Sequence, residues 1–159
     1  MTKIMAVLLA SLLLISCESG TVNEDLYQYK GSFVGDNGAV GNITRQLPIP
    51  DGEQMNGLEL QTTEEPYGII LNYKEAELSE DMDTDYHELA IYNASIILSL
   101  VKNADWVQFN FLEKELTVTR ESLEKWYGID LREFSSQDEI SKFIQEYLQN
   151  EEQVKRFFD

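Results

Sequence analysis

Two stretches and one histidine of this sequence carry side chains of the types that ligand binding and catalysis use. Asp81, Asp83 and Asp85 alternate as the first carboxylates of a calcium loop do. That pattern next requires Gly at its sixth position and Glu at its twelfth, where this chain has Tyr86 and Tyr92. A solvated acidic loop is therefore the expectation, with Glu75, Glu77 and Glu80 adding to its charge. Gly35-Asp36-Asn37-Gly38-Ala39-Val40-Gly41 opens a helical pattern, as a phosphate loop would, but fits neither glycine-rich nucleotide signature. Asp36 also puts a negative charge where a phosphate would sit, so the stretch reads as a turn and cap. His87 is the single histidine, and no nucleophile elbow accompanies it, which leaves a surface side chain. With 29 Asp+Glu, a carboxylate pair of the glycosidase kind must occur somewhere and carries no information.

Cys17 is the single thiol, so the chain forms no internal disulfide. It follows Lys3 and an apolar run from Ile4 to Ile15, the length of a signal-peptide core and too short to span a bilayer. Leu14-Ile15-Ser16-Cys17 resembles the bacterial lipobox, in which the cysteine is diacylated and becomes the first mature residue. The expected organisation is a lipoprotein signal peptide over residues 1–16, a lipidated tether over 17–25 and a single α+β domain over 26–159. Two acyl chains hold a protein on a bilayer stably where one does not. Cleavage leaves 11 Lys+Arg against 29 Asp+Glu, a net charge of −18 that a bilayer surface repels, so the lipid is needed. The same charge excludes binding to nucleic-acid phosphates. Hydrophobic content of 43% with 17 aromatics excludes a disordered acidic chain.

The elements that must position these residues follow from spacing. Asp36 caps a helix whose Val40, Ile43 and Leu47 recur at helical intervals until Pro48. Leu58–Thr62 and Tyr67–Tyr73 read as two strands of a hairpin turning at Glu64-Glu65-Pro66. Asp85 opens a helix to about Val101, with Tyr86, Leu89, Ala90, Asn93, Ile96, Ile97, Leu100 and Val101 near one stripe. Trp106–Leu112 alternates and turns at Glu113-Lys114 into Leu116–Thr119, a second hairpin. A short helix from Glu121 to Tyr127 closes at Gly128. Ser136 and Glu139 box the start of a last helix, carrying Ile140, Phe143, Ile144, Tyr147 and Leu148. Val154, Phe157 and Phe158 continue it past a kink near Asn150. Trp106, Trp126 and Tyr127 read as core residues with a polar tip at the rim. The order α-β-β-α-β-β-α-α predicts an α+β fold: an antiparallel sheet from two hairpins, with helices packed on one face.

Tyr29-Lys30-Gly31-Ser32-Phe33-Val34-Gly35-Asp36-Asn37, with Val40-Gly41-Asn42 and Leu47-Pro48, resembles the opening of an uncharacterised domain. Leu58-Glu59-Leu60-Gln61-Thr62, Glu65-Pro66-Tyr67-Gly68-Ile69 and Asn72-Tyr73 resemble its second block. Domains of this kind occur in small Gram-positive lipoproteins and attached to antibiotic-sensor-type membrane peptidases. The resemblance runs from about Leu26 to Phe111, departs at Phe33 where Tyr is usual, and carries no activity to transfer.

The residues therefore point to a lipid-anchored protein of the extracytoplasmic membrane face that binds or senses and is not an enzyme. Its expected binding surface joins Asp36 and Asn37 of one turn to Glu65 and Tyr67 of another, because loops on a rigid scaffold carry function. An accessory or inhibitory partner of a membrane protein is one alternative. A carboxylate-dependent cell-wall enzyme is the other. No catalytic residue, metal ligand or cofactor is assigned. The expected partners are the bilayer, through acylated Cys17, and by charge a basic protein or peptide.

Overall fold

A computed structural model describes residues 25–77 and 84–159. Side-chain caps start most of its helices. The Asp36 carboxylate accepts the Ala39 N–H at 3.0 Å and opens α1 (Asn37–Arg45). Asp85 accepts from His87 and Glu88 at the start of α2 (Tyr86–Leu100). Thr119 and Ser122 close a reciprocal box at α3 (Arg120–Tyr127), which ends on Gly128 at φ 71°, a left-handed turn that glycine enters without strain. Ser136 caps α4 (Gln137–Leu148), but Glu139 reaches back one residue further, to the N–H and hydroxyl of Ser135. Asn150 caps a separate α5 (Glu151–Phe157) where the sequence predicts a kinked continuation.

Strands β1 (Glu53–Gln61), β2 (Gly68–Glu75), β3 (Trp106–Asn110) and β4 (Glu115–Thr119) form one sheet in chain order. Both hairpins are antiparallel as expected. The sheet they share is not wholly antiparallel, because β2 and β3 pair in parallel, Ile69 beside Val107 and Leu71 beside Phe109. The reason is α2. A helix between neighbouring strands carries the chain back along the sheet, so the second strand sets out in the direction of the first. The fold is thus mixed α+β.

Ile69, Leu71, Val107, Phe109, Leu116 and Val118 form the core face of the sheet, all of them buried. Against them lies α2. The sequence assigns it one apolar stripe, yet Ile91, Ala94, Ser95, Leu98 and Ser99 are buried as well. A helix apolar nearly all round belongs inside a fold, and here the sheet takes one side while α1, α3, α4 and α5 contact the others. Tyr127 is buried, and Trp126 packs its ring with Tyr127, Tyr147 and Phe157. The other face of the sheet is polar. There Gln108 donates to Asn110, Asn110 to Asn72 and Asn72 to Glu59, a ladder across three strands. At its end the Trp106 ring lies on Gly68, where a Cβ would come within 2.1 Å of the indole.

Candidate functional site

The candidate ligand sites are the pair of turns expected from the sequence and, among the described residues, a groove that the fold creates. The turns meet a common connector, residues 101–106. Val34 donates to the Asn103 side chain at 2.8 Å, and Lys102 donates to the Ser32 carbonyl. Tyr67 donates its N–H to the Asp105 carboxylate at 2.9 Å and accepts the Asp105 N–H on its carbonyl. Both turns are therefore fixed to one strip of backbone. Their side chains are divided between tasks. Asp36 serves the helix cap, Asn37 is the first residue of α1, Glu65 is exposed, and half-buried Tyr67 packs on the core.

The groove is a cavity of about 520 Å³, within the range of small-ligand sites. One wall is the strap Pro48-Ile49-Pro50-Asp51, the floor is the first turns of α2, and the far wall is the end of α4. Each wall is held. The Asn93 amide, wholly buried, donates to the Pro48 carbonyl at 2.9 Å, and Asp51 donates its N–H to the Thr84 hydroxyl at 3.0 Å. Across the floor, the Tyr92 and Ser141 hydroxyls are hydrogen-bonded at 3.2 Å and tie α4 to α2.

Its lining divides by chemistry. Pro48, Ile49, Leu89, Tyr92 and Leu148 are apolar or aromatic, and Ile49 is 49% exposed. Asp51, Asp85 and Glu88 supply carboxylates. Among the described residues, no Lys or Arg pairs with any of the three; only His87 approaches Asp85, at 3.8 Å. Partial burial holds the Glu88 carboxyl above its ordinary range, and the neighbouring charges of Asp85 and Glu151 push the same way. Beside the groove, Lys114 donates to His87 Nε2 at 2.8 Å, which requires the neutral ring. Burial and the Lys114 charge lower the pKa of that imidazole. His87 thus faces a cation and a neighbouring Phe158 ring.

Cys17, the signal peptide expected over residues 1–16 and all of the tether expected over 17–25 except Asp25 lie outside the described residues, as do Glu80, Asp81 and Asp83 of the acidic loop. Among the described residues, no group of three or more His, Cys, Asp or Glu is placed to hold a metal ion, and no helix is long and apolar enough to cross a membrane. Sequence reasoning missed the groove because its walls come from three separated segments with no motif among them. The one available signal was charge: residues 75–101 hold seven acidic side chains and no Lys or Arg.

Fold and site together describe a mixed α+β domain with an acid-rimmed apolar groove and no assigned chemistry. The chain belongs to the family described as a domain of unknown function, DUF4825, whose model matches residues 26–123. That span covers the whole sheet, α1, α2 and the strap; Gln145 and Leu148 of the far wall come from beyond it. Comparisons with curated proteins and with solved structures return no match.

Proposed function

We propose that this protein is a binding or sensing module, anchored by a diacylated Cys17 to the extracytoplasmic face of the cell membrane, and that the groove is its binding site. The observation that carries the binding reading is the groove itself, a ligand-sized cavity whose strap and far wall are hydrogen-bonded in place. Preorganisation of that kind removes part of the ordering cost of association. The anchor rests on the lipobox-like Leu14-Ile15-Ser16-Cys17 after an apolar run. A tether that keeps the module at the surface suits recognition of something else at that surface.

The test uses a photo-crosslinking residue in place of Leu89, on the groove floor, in intact cells. A recurrent adduct at Leu89, absent when the crosslinker stands at exposed Phe33, is the expected result. Its mass separates a protein partner from a small ligand. Equal labelling at both positions, or no adduct at either, contradicts the assignment of the groove. In parallel, Cys17→Ser should move the protein from membranes to the medium; a variant that stays on the membrane contradicts the anchor.

A further inference from the structure

The groove's charge identifies what it takes. Apolar walls alone would suit any hydrophobic ligand, but these walls stand beside three carboxylates with no Lys or Arg paired to them among the described residues. In the strap and in α2 the sequence deepens the imbalance, while α4 of the far wall carries Lys142. No Lys or Arg occurs between Arg45 and Lys74, which includes the strap, or between Lys74 and Lys102, which includes α2. Glu88 sits among Asp85 and Glu151 in a partly desolvated position that disfavours its charge. A cation arriving there relieves that repulsion, whereas an anion adds to it. A wholly apolar ligand would cover the partly buried Glu88 carboxyl without giving it a partner.

Resting on the binding reading above, we infer that the occupant is a basic amphipathic peptide segment of a partner protein: an apolar side chain seated among Ile49, Leu89, Tyr92 and Leu148, flanked by Lys or Arg that meet Asp51, Asp85 and Glu88. The juxtaposition fits a short segment, since apolar floor and acidic rim belong to one cavity of about 520 Å³. The acidity of the whole chain, 12 Lys+Arg against 29 Asp+Glu, steers such a segment towards the protein and the rim orients it.

The experiment is fluorescence anisotropy with the full-length chain in neutral detergent and three labelled hexapeptides. One carries two leucines flanked by lysines, the second glutamates in place of the lysines, and the third serines in place of the leucines. The lysine–leucine peptide should bind at least about tenfold more tightly than either control. Raising salt from about 50 to about 500 mM should weaken it, and so should E88Q combined with D51N. Circular dichroism on that double variant checks that it folds, and L148S removes the apolar wall independently. Equal binding of the glutamate–leucine peptide overturns the charge assignment while leaving a binding groove in place. Equal binding of the lysine–serine peptide, or binding untouched by all groove variants, assigns the attraction to general acidity and overturns the inference. No binding by any peptide overturns it as well, and the crosslink at Leu89 then decides separately whether the groove binds anything.

Discussion

Glu53 is the buried acidic residue of the described chain, 4% exposed, and its environment shows how single residues set conditions on this fold. Its carboxyl accepts the Tyr86 hydroxyl at 2.7 Å and the Leu112 N–H at 3.4 Å. Tyr86 in turn stacks on Phe111 at 4.8 Å. The hydrogen bond to Glu53, helped by burial and the carboxyl's charge, pushes the Tyr86 phenol up to about 12. An unfolded tyrosine titrates near 10, so the folded state keeps this proton longer. The contribution is therefore fully present below about pH 10 and is lost as pH rises towards 12. Tyr86→Phe leaves one oxygen of a buried carboxyl without its donor and should cost about 1–3 kcal/mol in urea unfolding at pH 8. It should also flatten the fall in stability above pH 10; an unchanged alkaline limb would show that the Tyr86–Glu53 bond is absent. Nothing in the sequence marks this pair, because Glu53 and Tyr86 belong to a strand and a helix 33 residues apart. The caps were legible for the opposite reason. Asp36 and Asp85 act on N–H groups two or three positions away, so the residues that fix them are neighbours in the chain.

Between elements, Arg120 is the central joint. Standing first in α3, it donates to the carbonyls of Leu98 at 2.7 Å, Val101 at 3.1 Å and Ala104 at 3.0 Å. These include carbonyls at the end of α2, which the helix itself leaves unsatisfied and which favour a cation. Burial lowers the pKa of the guanidinium, and the adjacent Glu124 partly offsets that. Arg120→Met should cost about 3 kcal/mol by urea unfolding, since buried carbonyls lose a charged donor. Arg120→Lys should restore little of it, because an ammonium does not span three carbonyls as the planar fork does. Full rescue by Lys would mean that charge alone matters at this joint. The sequence predicts α2, α3 and both hairpins from their own periodicity. It did not predict the parallel seam between β2 and β3, which is decided by how α2 crosses the sheet. Nor did periodicity tell a helix buried nearly all round over Ala90–Leu100 from one with a single apolar stripe, since the serines at 95 and 99 interrupt the pattern. Each satisfies its hydroxyl on a carbonyl of its own helix, at Ile91 and Ile96.

For the whole molecule, acidity and the groove converge. The family match covers most of the scaffold, and the core runs through Leu26, the sheet, α2 and on to Val154 of α5. On that scaffold the expected turns around Asp36, Asn37, Glu65 and Tyr67 compete with the groove as the binding surface. The groove joins apolar walls to three carboxylates that lack a paired Lys or Arg among the described residues. The acid excess was legible from composition alone. Its place beside Ile49, Leu89 and Leu148 was not, because α4 reaches the strap only through the tertiary fold. Two-dimensional NMR of the full-length chain in neutral detergent, titrated with the lysine–leucine peptide, tests the central claim most directly. Shifts should concentrate at Ile49, Asp51, Glu88, Leu89, Tyr92 and Leu148 and reverse on adding salt. Shifts centred instead on Asp36, Asn37, Glu65 and Tyr67, or on the open face of the sheet at Asn72 and Gln108, would contradict it.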